Sequence, residues 1–205
     1  MIDQRFVILG ALISLGTVMV YVRDTIRGRT QPNRVTWLLW SLAPMLAFAA
    51  ELNAHVGLSA LMTFSVGFNP LLVLVASFVN PQASWRIGRF DYLCGALSLA
   101  GTGAWLLTSD TTVALVAAIA ADALAALPTV RKSITSPRTE SRVIYLGGII
   151  NASIALLVVR RLDGAHIAFP VYILVVNLAL TLILVRGSRR LDHAQARGQL
   201  APDRN

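Results

Sequence analysis

The sequence predicts an all-α membrane protein with seven transmembrane helices. Three observations carry the prediction. Hydrophobic residues make up 56% of the chain and charged ones only 14%. The charges fall in short clusters between long apolar runs. A basic stretch, VRDTIRGRTQPNRV at 22–35, returns without a gap as VRKSITSPRTESRV at 130–143, an offset of 108 residues.

Six runs carry no charge: 6–22, 35–50, 56–79, 92–109, 143–159 and 167–185. A seventh, 111–130, is interrupted only by Asp122. Runs of this order suit the ~30 Å hydrocarbon core of a bilayer. A soluble bundle would need a polar face on each helix, and a transmembrane barrel would show short alternating strands. The first run follows a very short amino terminus without a small-residue cleavage pattern, so it is expected to be retained as a span.

Charge distribution predicts orientation. The first, second and third inner segments hold Arg23, Arg27, Arg29 and Arg34, then Arg86 and Arg89, then Arg131, Lys132, Arg138 and Arg142. Five more arginines lie from residue 186 onward. The outer side holds only Arg5, Arg160 and Arg161, a positive-inside bias that places the amino terminus outside and the carboxyl terminus inside. The net charge of +8 is thus read as topology, with no nucleic-acid partner. The expected partners are the lipid bilayer and a small polar solute; the sequence leaves self-association open. Cys94 is the only cysteine, which excludes an intramolecular disulfide and a cysteine-based metal site.

The 108-residue offset also aligns Trp37 with Tyr145, Phe64 with Tyr172, and Asn69 with Asn177. Helices 1–3 and 5–7 then form two three-helix units. Three spans leave the chain on the opposite side, so helix 4 must return it before the unit repeats in parallel. The expected divisions are a first repeat at 1–79, a linker with the inverting helix at 80–110, a second repeat at 111–186 and a polar cytoplasmic tail at 187–205, mobile or in a short surface helix. Two basic inner loops would resemble one another through topology alone, but the ungapped register and the paired asparagines favour duplication.

The 3+1+3 arrangement, the outside amino terminus and the paired asparagines resemble the SWEET sugar transporters. More broadly they resemble the PQ-loop superfamily, which includes nicotinamide riboside transporters, cystinosin-like exporters and KDEL receptors. The resemblance covers residues 5–186. It implies alternating access at a midplane site between the repeats, with hinge prolines for which Pro44 and Pro128 are the counterparts. The Pro-Gln motifs are degenerate. Pro128 is followed by Thr129, Val20 stands at the equivalent position of helix 1, and Ala152 stands where Pro44 would repeat. The literal Pro81-Gln82 pair lies in the loop after helix 3.

Polar groups within spans are costly and therefore informative. Asn69, Asn151, Asn177 and Asp122 all fall near mid-span and are the candidate substrate-binding residues. An amide offers an acceptor and two donors, so Asn69 and Asn177 are read as a clamp on a small polar solute such as a sugar, nucleoside, vitamin or amino acid. The competing reading is interhelical hydrogen bonding. For Asn151, whose repeat equivalent is Ala43, lining and hydrogen bonding are equally supported. Asp122 lies in an otherwise apolar run with no lysine or arginine at its depth. It suits a proton-coupling site or a counter-ion for a cationic substrate.

Other residues read as ordinary. Glu51 and His55, one turn apart, suggest an exposed cap more than a pH-sensitive gate. His166 is expected at the interface. Glu140 is expected to pair with nearby arginines, and Trp40 to pack. No His-x-x-x-His pair, Ser–His–Asp set or glycine-rich phosphate loop is present, so an enzyme is not expected, nor a cofactor or metal. A retinal protein is excluded because the only lysine, Lys132, falls in an inner loop. The rival class is a non-transporting receptor or scaffold on the same fold. The expected location is a bacterial inner membrane.

Overall fold

The computed structural model describes residues 6–53, 60–83, 85–159 and 164–199. Among them are seven α-helices and no strand: α1 Phe6–Ile26, α2 Arg34–Asn53, α3 Ala60–Val79, α4 Arg89–Leu107, α5 Thr111–Thr135, α6 Arg142–Val158 and α7 Gly164–Gln199. Two single 3-10 turns, Pro81–Ala83 and Pro137–Thr139, complete the connections.

Local chemistry explains where the helices start and stop. Gly28 closes α1 with φ 73°, a left-handed backbone that suits a residue without a β-carbon. Asn33 opens α2: its Oδ1 accepts the amides of Val35 at 3.1 Å and Thr36 at 3.4 Å. The same side chain donates to Asp91 Oδ1 at 2.8 Å, while Asp91 Oδ2 accepts the Gly88 amide at the start of α4. Two helix amino termini are thereby tied together. Asp110 caps α5 by accepting from the amides of Thr112 and Val113. Pro44, Pro70, Pro128 and Pro170 lie inside α2, α3, α5 and α7, none of which breaks there.

Three helices are long and apolar enough to cross a membrane: α1, α5 over Thr112–Thr135, and α7 over Ile167–Arg197. Shorter apolar segments occupy α2 (Arg34–Ala49), α3 (Thr63–Val79) and α6 (Arg142–Val158). Large apolar side chains stand exposed around the outside of the bundle, among them Leu12, Phe78, Leu93, Leu107, Val116 and Leu157.

The helices close a ring. α3 packs against both α1 and α2, and α7 against both α5 and α6; α1 also meets α6, and α2 also meets α5. α4 stands outside the ring on α5 and α2. The apolar core lies toward the basic end, where Val18, Tyr21, Trp37, Val73, Ile144, Tyr145, Leu180 and Leu184 pack together.

Three expectations need correction. α5 runs to Thr135, so Lys132 is a helical residue and not a loop residue. Glu140 pairs with Lys132 instead of an arginine, because Arg138 reaches Asp192 and Arg131 covers the Phe90 ring. Residues 187–199, read as part of a tail that is mobile or in a short surface helix, are helical but continue α7 without a break, with Gly187 seated against Pro137 and Asp192 2.8 Å from Arg138. Gly187 has no β-carbon to collide with the proline, so the helix continues past the connection before α6.

Candidate functional site

Among the described residues, two neighbouring cavities lie within the bundle. The larger, about 590 Å³, is lined by residues of α2–α7 and lies toward the end that carries the α4–α5 turn. The smaller, about 120 Å³, lies deeper toward the basic end. Asp122 and Asn151 line both.

All four candidate residues converge here. Asn69, Asn151, Asn177 and Asp122 line the smaller cavity, each from a different helix: α3, α6, α7 and α5. Asn69 is buried and donates through Nδ2 to Ser14 Oγ of α1 at 2.8 Å. Asn177 donates to the Ile173 carbonyl one turn earlier at 2.8 Å, which holds its amide against the helix. Gly148 of α6 makes room for that amide, since a β-carbon at 148 would overlap it. Gly10 does the same for Asn151, whose Oδ1 would lie 2.9 Å from a β-carbon at position 10.

Asp122 is half-buried. Its Oδ2 accepts from the Tyr172 hydroxyl of α7 at 2.7 Å. Trp40 of α2 lines the same cavity, and its indole N–H completes no hydrogen bond. No described residue donates a hydrogen bond to Oδ1. Pro44 and Pro70 have no N–H, so the carbonyls of Trp40 and Val66 lose their donors four residues on. Trp40 and Val66 both belong to the cavity wall.

Sequence reasoning missed Ser14, although a signal was present: 122 minus 14 is 108, the repeat offset. Ser14 bonds the α3 asparagine from α1, while Asp122 bonds the α7 tyrosine from α5. It also missed a buried charge cluster nearer the basic end. Lys132 Nζ lies 2.6 Å from Glu140 Oε1, with both side chains fully buried. Tyr21 and Tyr145 donate to Glu140 Oε2 at 2.9 and 3.1 Å. Lys132 also donates to the Gln31 carbonyl and lies 5.5 Å from the Trp85 ring centroid. Tyr145 connects this cluster with the smaller cavity, which it also lines.

Pro44 lines the larger cavity and Pro128 is buried within α5. Trp40 both packs on Trp37, with ring centroids 5.3 Å apart, and faces the smaller cavity. The Glu51 and His166 side chains, and His55, lie outside the described residues. No protein-family model, curated protein or solved structure matches this chain.

Proposed function

We propose that the chain is a membrane transporter or facilitator of a small polar solute, with the two cavities as the solute's path and Asp122, Asn69, Asn151 and Asn177 as its binding groups. The observation that carries this reading is the convergence of four polar residues from four helices on one central cavity. Polar side chains in apolar helices face the bundle interior or a wet path, and small-molecule sites are mostly apolar with a few convergent polar groups.

The reading includes seven spans, with the amino terminus outside and the basic end in the cytoplasm. The outward-facing leucines, valines and phenylalanines support it. Two parallel repeats are supported by the packing: α1 meets α3 and α6 as α5 meets α7 and α2. The larger cavity then faces outward, and the Lys132–Glu140 seal closes the inner side. Alternating access requires that seal to part while the outer cavity narrows. Asp122 is the group through which a proton would be coupled.

The test is uptake into proteoliposomes carrying the full chain, across sugars, nucleosides, vitamins and amino acids, in wild type and in Asp122→Asn, Asn69→Ala and Asn177→Ala. The expected result is saturable uptake of one class that falls in all three variants. A ligand that stabilises the protein but never crosses would replace this reading with a receptor.

A further inference from the structure

We infer that the solute is an organic monocation with an apolar body, held by Asp122 Oδ1. The inference rests on the proposed function and narrows its substrate class.

Charge is the first argument. Among the described residues, Asp122 is the only charged side chain on the wall of either cavity. Lys132 does not compete for it, because Glu140 and the Gln31 carbonyl already hold its ammonium group in the seal. A half-buried carboxylate attracts a positive charge more strongly than one in bulk water. The site is also half-made. Tyr172 fixes Oδ2 at 2.7 Å and so orients the carboxylate, and no described residue donates a hydrogen bond to Oδ1. The same arrangement repels an anion.

The remaining wall decides between kinds of cation and neutral solute. Around Asp122 the larger cavity presents Ala114, Ala118, Ala121 and Ala125, with Trp105 and Phe169 supplying aromatic surface. A protein metal site gathers several charged or imidazole ligands, and among the described residues no group of three or more His, Cys, Asp or Glu side chains stands together. A polyol needs a partner for each buried hydroxyl. Ser98 and Thr102 already donate their hydroxyls to the carbonyls of Ala121 and Ser98. A sugar seated against this wall of the larger cavity would leave most of its hydroxyls unpaired, at a cost of about 1–3 kcal/mol each. At the deep end the carbonyls of Trp40 and Val66, which Pro44 and Pro70 leave without their usual helical donors, are further acceptors for a charged donor head. An apolar or aromatic body with one charged donor head satisfies all of these conditions, and the volume of about 590 Å³ accommodates it.

The test uses three isosteres that differ in charge: benzamidine, benzamide and benzoate. Each is titrated into the full chain in detergent by calorimetry, and each is then followed in proteoliposomes. Benzamidine is expected to bind at least about tenfold tighter than benzamide, with benzoate weakest. In Asp122→Asn the preference for benzamidine over benzamide should fall to about threefold or less. The isostere series is read on the unaltered chain, so it decides even if that variant folds poorly. Equal binding of benzamide, tighter binding of benzoate, no binding of all three, or a preference that survives Asp122→Asn overturns the inference. Benzamidine that binds but does not cross overturns transport and leaves the cation site standing. Flux of neutral solutes without cation preference does the reverse.

Discussion

Lys132 of α5 and Glu140 of the α5–α6 connection form an ion pair of 2.6 Å in which neither side chain reaches solvent. Tyr21 from α1 and Tyr145 from α6 donate to the carboxylate from two further elements. Four segments thus meet on one buried charge pair beneath the cavity. Such a pair is a conditional asset, since its desolvation offsets much of its attraction and its value depends on both partners being present.

Breaking one side should therefore cost more than removing both. Lys132→Met or Glu140→Gln is expected to lower stability by about 3–5 kcal/mol. The double variant Lys132→Met/Glu140→Leu should recover most of that loss. Unfolding in mixed micelles measures it, and single losses below about 1 kcal/mol would show that water reaches the pair.

The Tyr172–Asp122 bond makes a second prediction. In a double-mutant cycle of Tyr172→Phe and Asp122→Asn, the coupling should be about 1–3 kcal/mol. It is read from stability and from the binding of whichever solute the uptake screen identifies. Additive effects would mean that the 2.7 Å contact does not orient the carboxylate.

Ser14 should matter through Asn69. Ser14→Ala leaves the buried amide without its acceptor and is expected to cost about 0.6–2 kcal/mol, while Ser14→Thr should retain most of the bond. Equal losses in the two variants would point to packing instead of the hydrogen bond.

Gly148→Ala places a carbon where the Asn177 amide lies. It should cost about 1–3 kcal/mol and reduce uptake as strongly as Asn177→Ala. Gly16→Ala is the control: nothing lies within 4 Å of its added carbon. That substitution should be neutral or stabilise by up to about 1 kcal/mol. Similar outcomes at the two glycines would remove the steric argument.

Single cysteines test the orientation. In a Cys94→Ala background, Ser109→Cys should react with an impermeant maleimide on intact cells, and Arg86→Cys only after permeabilisation. Labelling of both from one side contradicts the proposed topology.

The helical fold was legible because lipid-compatible runs and the basic clusters between them are one-dimensional features. The four candidate residues were legible for a related reason: an amide or carboxylate in an apolar run conflicts with its neighbours, so Asn69, Asn151, Asn177 and Asp122 stand out. Ser14 did not, because a serine is unremarkable in an apolar helix and its offset of 108 from Asp122 acquires meaning only once both face the cavity. Glu140 was legible as a member of an ion pair, but neither its burial nor its partner was. Arg138 and Arg142 are nearer in sequence than Lys132, and helix direction decides which cation points inward.

By itself, then, the sequence determined the helical class, the segments that compose the bundle and the polar residues that need an explanation. Hydrophobicity and charge run along the chain, and both are read from it directly. Only the tertiary structure decided that these residues share one cavity, that Tyr172 holds Asp122 by one oxygen, and that Lys132 is occupied by Glu140. Those are relations between segments 50 or more residues apart in several cases, and they depend on the rotation of each helix about its axis. Packing fixes that rotation through small residues such as Gly148 and Gly10, whose missing side chains leave no mark in hydropathy.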